Sequence, residues 1–208
     1  MTRNTDYYLD RTAIDQLEKR YRANLINSLS GYKSANLVGT VNAAGQTNLA
    51  LVSSVFHVGA NPPLMGMLIR PHTVARHTLE NILEQRFYTI NAVTEDIYQQ
   101  AHQSSARYDR DVSEFEATGL MAEFRDTFNA PYVGQSMVKT GLELVSTQTL
   151  DVNATVLVIG EIKEIRTDAA LLADDGQLDV NRAGLVAVSG LDEYHTGRSL
   201  ERLAYAKA

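Results

Sequence analysis

The stretch that decides the fold spans residues 36–93 and reads NLVGTVNAAGQTNLALVSSVFHVGANPPLMGMLIRPHTVARHTLENILEQRFYTINAV. Its first part holds two apolar runs, 36–41 and 48–58, joined by a connector at 42–46 that contains Asn and Gly. Two runs of this kind around a short connector are typical of a β-hairpin. The stretch therefore begins with paired strands.

The second part of the stretch adds two strands and a helix. Asn61-Pro62-Pro63 interrupts the sheet, because proline has no N–H to donate to a neighbouring strand. A third apolar run at 64–69 ends at Arg70-Pro71, a helical pattern follows at 76–82, and the aromatic run 87–93 predicts a fourth strand. This order predicts a sheet with one helix between its third and fourth strands.

The composition predicts one globular domain and excludes several kinds of protein. A chain of 208 residues is long enough to bury a sizeable core. The net charge of −6 argues against a nucleic acid or an anionic membrane as partner, because both need a dense basic surface. Cysteine is absent, which excludes disulfides and thiolate metal sites. The polar first residues and the lack of an apolar run of about 20 residues predict a cytoplasmic protein.

Helices are predicted outside these strands. Residues 12–22 carry apolar side chains at helical spacing, and Thr12 is the expected N-cap. Further short helices are predicted at 94–102, 112–117 and 121–128, and Pro131 closes the last of these segments. Residues 1–30 would thus form a helical arm, and residues 94–134 a mostly helical insertion.

Strand-like runs return after the insertion. The segments 138–145, 149–152 and 154–165 are rich in β-branched residues and predict strands, with Gly160 a natural bend. Residues 185–188 predict a final strand. The strands of 36–93 and 138–190 would form one closed sheet, which predicts a mainly β barrel with peripheral helices.

The order of short motifs resembles the flavin reductase-like family, whose members have an FMN-binding split β-barrel. The shared features are Asn48-x-Ala50 at the start of a strand, Ser53-Ser54 within it, the Pro62-Pro63 loop, Arg70-Pro71, His77-Thr78-x-x-Asn81-Ile82 and Asn91. A looser likeness continues through 101–105 and 190–195. The resemblance therefore covers most of residues 1–208 and implies a single domain, a split barrel with peripheral helices.

The resemblance also implies a function. It implies an oxidoreductase that passes hydride or electrons through FMN, with NADH or NADPH as the electron donor. A flavoredoxin-like electron carrier and a non-enzymatic flavin- or haem-binding barrel are the alternatives. Flavin and nicotinamide would be the small-molecule partners, and a homodimer with the flavin near the subunit interface is expected. The sequence has no Gly-x-Gly-x-x-Gly or Walker motif, so a Rossmann or P-loop site is not expected.

The residues after the third strand are the expected phosphate site. Arg70 emerges where that strand ends, and a guanidinium group matches the geometry of phosphate oxygens. Thr73, His77 and Thr78 follow, near the start of a helix whose free N–H groups favour an anion. Either Thr73 or Thr78 could instead be a helix cap, and Arg70 a solvated strand end. The whole set, with the resemblance, favours phosphate binding.

The second apolar run is expected to lie along the flavin. The resemblance carries over as cofactor-binding residues Asn48, Leu49, Ala50, Ser53, Ser54 and Val55. Adjacent strand residues point to opposite sheet faces, so only one of Ser53 and Ser54 can face the ligand directly. A bulge or a cross-strand hydrogen bond explains the two serines equally well.

Four other residues are weaker candidates. Asn81 lies one helical turn after His77 and could reach the flavin or hydrogen-bond to a nearby loop. Arg76 would be on the first helical turn, where a charged residue is usually solvated. The histidines have no metal-ligand spacing, so no metal site is predicted, although His102 and His195 could lie near the flavin or nicotinamide.

Overall fold

The computed structural model describes residues 6–207 and shows the predicted mainly β chain. Its helices are α1 (Arg11–Gln16), α2 (Lys19–Ser28), α3 (His77–Gln85), α4 (Tyr98–Gln103) and α5 (Glu114–Thr118), with a 3₁₀ turn at Ala169–Leu171. Its strands are β1 (Lys33–Ser34), β2 (Asn36–Val41), β3 (Thr47–Val52), β4 (Val55–Ala60), β5 (Pro63–Ile69), β6 (Phe87–Ala92), β7 (Ala122–Arg125), β8 (Phe128–Val133), β9 (Lys139–Thr149), β10 (Val156–Arg166), β11 (Val186–Ser189) and β12 (Glu193–Thr196).

The largest sheet has seven antiparallel strands in the order β3-β2-β6-β9-β10-β5-β4. Three of the four strands predicted in residues 36–93 are present as β2, β5 and β6, and the remaining one is divided into β3 and β4. Strands β9 and β10 from the second half of the chain lie in the middle of the sheet. Strands β3 and β4 are the two edges of the sheet and do not pair with each other. The expectation of one closed sheet is therefore wrong, because a seam without ladder hydrogen bonds separates these two edges.

The chain changes partners at Ser53-Ser54, where one long strand was predicted over 48–58. Strand β3 pairs with β2, whereas β4 pairs with β5. The Ser54 hydroxyl donates to the carbonyl of Leu68 at 2.8 Å, and the Ser54 carbonyl accepts from the amide of Leu68 at 3.2 Å. These bonds anchor the link to β5, so the two serines form the junction between two strands.

Two apolar clusters hold the barrel and place α3 against it. The barrel interior contains Val38, Met67, Ile90, Leu142 and Val158, together with Leu79 and Ile82 of α3. A second cluster, with Leu37, Leu49, Val93, Phe115 and Val133, joins the sheet to the insertion. Because Leu79 and Ile82 lie three residues apart, they share one helix face, and their burial orients this face of α3 towards the barrel.

The N-terminal arm differs from the single helix predicted over 12–22. It contains α1 and α2, with a break between them at Leu17 and Glu18. The N-cap of α1 is Asp10 rather than Thr12, since the Asp10 carboxylate accepts from the amide of Ala13 at 2.8 Å. The carboxylate of Glu18 starts α2 in the same way by accepting from the amides of Arg20 and Tyr21.

The insertion contains a hairpin where a second helix was predicted over 121–128. Helices α4 and α5 lie close to the predicted positions, but β7 and β8 then pair with each other. Pro131 lies within β8, and its carbonyl accepts from the hydroxyl of Thr89 at 2.6 Å. Packing over the barrel explains the difference, because every residue of β8 except Asn129 is buried, which a helix in this position could not achieve.

The second half of the barrel agrees with its predicted strands except at their ends. Strand β9 continues to Thr149, and residues 150–153 form the turn to β10, where a strand was predicted at 149–152. The pairing of β10 with β9 shifts register between Ile159 and Gly160, as the predicted bend implies. Strand β11 is followed by β12, so the predicted strand at 185–188 is not the last.

Among the helices of residues 6–207, none has the length and apolar content needed to cross a membrane.

Candidate functional site

A cleft of about 780 Å³ opens beside the seam of the sheet. Its walls come from β3 and the Ser53-Ser54 link, the end of β5, the segment 74–78 leading into α3, the segment 104–110 between α4 and α5, and residues 188–191. Pockets that hold cofactors have volumes of this order. The cleft is therefore the candidate functional site.

The structure brings seven of the eleven proposed cofactor-binding residues to this cleft. These are Asn48, Ala50, Ser53, Ser54, Arg70, His77 and Thr78. The other four do not line it. The side chain of Leu49 is buried in the core, Val55 packs against the barrel interior, Thr73 is exposed outside the cleft, and Asn81 is 2% exposed behind it.

One corner of the cleft is suited to an anion. Helix α3 begins there at His77, and its N-cap residue, Arg76, provides no side-chain hydrogen bond to the first turn. Neither Thr73 nor Thr78 is the cap. The free amides of a helix start attract an anion, and the guanidinium of Arg70 is exposed at the same cleft without an ion pair inside residues 6–207.

The carboxylate of Glu80 binds three residues beside this corner. Glu80 accepts from the amide of Arg76 at 3.1 Å and from His72 Nε2 at 2.9 Å, and it also binds Arg110. Partial burial tends to raise the pKa of Glu80, but these hydrogen bonds outweigh it and lower the pKa to about 2. The contact between Arg110 and Glu80 therefore links the segment 104–110 to the first turn of α3.

The free edge of β3 presents backbone amides to this side of the sheet. The amide of Leu49 points away from β2 and donates to Glu114 Oε2 at 2.8 Å. Because the direction of the amides alternates along a strand, the amide of Leu51 points the same way, and Leu51 lines the cleft. Burial raises the pKa of Glu114, whereas its bond to Leu49 and the nearby His77 act in the opposite direction.

Hydrogen bonds behind the cleft hold Asn48 in place. Its Nδ2 donates to Thr78 Oγ1 at 2.9 Å and to Thr40 Oγ1 at 3.3 Å. Asn81 Nδ2 donates to the same Thr40 oxygen at 3.1 Å. Asn81 therefore supports Asn48 and the start of α3 from behind. It does not reach the cleft itself.

Sequence reasoning missed the wall formed by the 104–110 segment. Arg107, Tyr108 and Arg110 line the cleft there, and Glu114 lies at the following helix start. The segment was predicted only as irregular chain. Its signal is the run Arg107-Tyr108-Asp109-Arg110, where cationic side chains flank an aromatic ring, but nothing local indicates that it faces residues 48–54.

Two histidines outside the cleft, His102 and His195, take part in structural contacts. His102 Nδ1 lies 3.1 Å from the hydroxyl of Tyr194, and His195 Nε2 lies 2.8 Å from the hydroxyl of Ser189. Neither histidine lines the cleft. Within the described part of the chain, no three His, Asp or Glu side chains are grouped so that they could hold a metal ion.

Comparison with known proteins identifies the family and the fold of this chain. A family model described as the flavin reductase like domain matches residues 29–182. A candidate flavin reductase with a split barrel domain from Shewanella frigidimarina NCIMB 400 is 53% identical and superposes with a TM-score of 0.93, over 97% of this chain and 100% of that one.

Two more distant structures share the fold. Nitrilotriacetate monooxygenase component B from Bacillus cereus is 18% identical, with a TM-score of 0.84 over 96% of this chain and 100% of that one. The flavoredoxin of Desulfovibrio vulgaris (Miyazaki F) is 23% identical, with a TM-score of 0.73 over 85% of this chain and 92% of that one. The family match over most of its length, together with the shared split barrel, shows that this chain belongs to the flavin reductase-like family.

Proposed function

We propose that the protein is an FMN-dependent oxidoreductase that receives hydride from NADH or NADPH, and thus an NAD(P)H:flavin reductase. The observation that carries this proposal is that one cleft combines a cationic corner with a strand edge that has small side chains and the outward amide of Leu51. A flavin with a phosphate group has matching parts, because its phosphate is anionic and its ring is flat and apolar with a polar edge.

The cationic corner supports FMN rather than a flavin without phosphate. Arg70 can provide two donors to phosphate oxygens, and the start of α3 adds backbone amides at His77 and Thr78. Arg70 has no internal partner within residues 6–207, so binding a phosphate would not require it to give up an existing ion pair. The residues present therefore fit a phosphate.

The other end of the cleft supports binding of the ring. Ala50 and the Ser53-Ser54 link have small side chains, which allow a flat ring to approach the backbone. The outward amide of Leu51 provides a donor for a carbonyl oxygen at the ring edge. Leu68, an exposed apolar residue, also lines the cleft, as does Val52.

In the proposed mechanism the protein positions the flavin and the nicotinamide, and no side chain acts as an acid or a base. When bound, FMN supplies the acceptor for a hydride from a nicotinamide. The task of Arg70 and α3 is to hold the phosphate, and the task of β3 is to orient the ring so that one face stays open to the donor. No proton has to be moved by a side chain in this transfer.

The test is the visible spectrum of the purified protein, taken with added FMN and then anaerobically with NADH or NADPH. Flavin absorption that changes on binding and bleaches with a nicotinamide is the expected result. Bound flavin that stays oxidised with both donors would rule out the reductase activity and favour an electron carrier that receives its electrons from another donor. A protein that binds no FMN would overturn the proposal.

We further propose that the protein is a homodimer. Phe56 and Val58 of β4 pack over Gly66 on the outer face of β5, where the Phe56 ring lies 2.7 Å from the position that a Gly66 β-carbon would take. Leu68 continues this face, and the three side chains are 42%, 42% and 38% exposed. An apolar sheet face is typical of a subunit interface. Leu68 also lines the cleft, so a second copy here would lie beside the flavin.

A further inference from the structure

The cleft has a second free cation that the FMN phosphate does not need. Four arginines line it: Arg70, Arg76, Arg107 and Arg110. Arg76 donates to the carbonyl of Pro71 through Nε and Nη2, and Arg110 is paired with Glu80. Within residues 6–207, Arg70 and Arg107 form neither a hydrogen bond nor an ion pair. They come from different walls, the end of β5 and the segment between α4 and α5.

The residues beside Arg107 have chemical groups that a nucleotide can use. Tyr108 follows it and lines the same wall, and the hydroxyl of Tyr108 accepts from Gln103 Nε2 at 3.0 Å, which restrains the ring. An aromatic ring can stack on a base, and an adjacent guanidinium can bind a phosphate. Asp109 also lines this wall without a side-chain partner, and it offers an acceptor to a ribose hydroxyl or an amino group.

We propose that Arg107 and Tyr108 bind the adenosine 2′-phosphate of NADPH and make this phosphate the basis of donor choice. The inference rests on the proposed function, since it assigns the donor of that same cleft. NADH and NADPH share a pyrophosphate, and only NADPH carries a phosphate on the ribose beside the adenine. The guanidinium of Arg107 next to the ring of Tyr108 matches the 2′-phosphate of NADPH next to its adenine.

The binding test uses fragments that contain no nicotinamide. Adenosine 2′,5′-bisphosphate and adenosine 5′-monophosphate differ only in the 2′-phosphate, and both are titrated calorimetrically into the protein with and without FMN. We expect the bisphosphate to bind about tenfold more tightly, because a charge-assisted hydrogen bond has roughly this effect. Arg107→Ala should remove the difference. Arg198→Ala is the matched control, since Arg198 is an exposed arginine outside the cleft.

The kinetic test distinguishes the 2′-phosphate of the donor from its pyrophosphate. With saturating FMN, Arg107→Ala should lower kcat/KM for NADPH about tenfold and leave the value for NADH unchanged. An equal loss for both donors would place Arg107 on the shared pyrophosphate and overturn the 2′-phosphate assignment. Equal affinity of the wild-type protein for the two fragments would also overturn it.

The failure of this inference can be told apart from failure of the proposed function. A protein that binds FMN and oxidises NADH and NADPH equally well would retain the function and lose the donor assignment. A protein that binds no FMN would lose the function. Even then, the fragment titration on the flavin-free protein would show whether Arg107 recognises the 2′-phosphate.

Discussion

Arg70 is the side chain on which phosphate binding depends most directly. We predict that Arg70→Ala weakens the binding of FMN by about tenfold to a hundredfold, because a charge-assisted hydrogen bond to phosphate is lost. Riboflavin, which lacks the phosphate, should bind the variant and the wild-type protein equally. The measurement is a fluorescence titration with each flavin, with Arg198→Ala as control. Equal losses for FMN and riboflavin would contradict a phosphate role for Arg70.

Glu80 should make the stability of the protein sensitive to acid. Its hydrogen bonds to His72, Arg76 and Arg110 lower its pKa from the ordinary 4.5 to about 2. A carboxyl group with a lowered pKa in the folded protein stabilises it above the unfolded value, and this contribution is lost as the pH falls from about 4.5 towards 2. Glu80→Gln should therefore lower the melting temperature at pH 6 and leave it less changed near pH 2.5.

The control for Glu80 is Glu84→Gln on the same helix. Glu84 is exposed, and its side chain forms no hydrogen bond or ion pair within the described part of the chain. Its replacement should leave the pH dependence of the melting temperature as in the wild-type protein. If Glu80→Gln and Glu84→Gln gave the same curve, the network at the start of α3 would contribute nothing to acid stability.

The sequence predicted the positions of residues that lie next to a strand end or a helix start. Arg70 follows an apolar run, and His77 and Thr78 open a helix, so local patterns predict their places in the chain, and the family resemblance adds the expectation that they act together. Arg107 could not be placed in this way. It reaches the cleft because the insertion folds back over the edge of β3, where Glu114 holds the amide of Leu49, and this contact joins residues 65 positions apart.

The packing of β8 on the barrel depends on the absence of a side chain at Gly39 in β2. A β-carbon there would overlap the carbonyl of Pro131 and the hydroxyl of Thr89. We predict that Gly39→Ala costs roughly 1–3 kcal/mol in the free energy of unfolding, measured by urea denaturation, because the backbone of β8 must move. Gly134→Ala should cost less, since its neighbour is the flexible and exposed side chain of Met121. An unfolding free energy unchanged by Gly39→Ala would show that β8 is not held this tightly.

Strands and helices were predicted correctly where the hydrophobic pattern and the turn residues lie within one short segment. The runs 36–41, 64–69 and 87–93 all became strands, because each is apolar and bounded by a turn signal. The run 48–58 looked like one strand since it has no proline or glycine before Gly59, yet the chain changes partners at Ser53-Ser54. That change depends on the position of Leu68, which no local pattern contains.

For the protein as a whole, the position of the cleft follows from the open seam of the sheet. Because β3 and β4 do not pair, backbone amides at the edge of β3 point outward, away from β2. The insertion covers one end of the cleft between these two edges. The chain has a net charge of −6, so the free arginines of the cleft form a local positive region on an acidic protein. A negative ligand is therefore drawn to this place rather than to the surface in general.

The same fold leaves Phe56, Val58 and Leu68 exposed on the opposite side of the β4–β5 hairpin from the barrel core. If this face is the dimer interface, Phe56→Asp should place a charge in an apolar contact and convert the dimer to a monomer in light scattering. Val152→Asp is the matched control and should leave the dimer intact, because Val152 is 87% exposed in the turn after β9.

Loss of the dimer should also weaken FMN binding, since Leu68 belongs to both the apolar face and the cleft. A wild-type protein that scatters light as a monomer, or a Phe56→Asp variant that remains a dimer, would rule out this face as the interface.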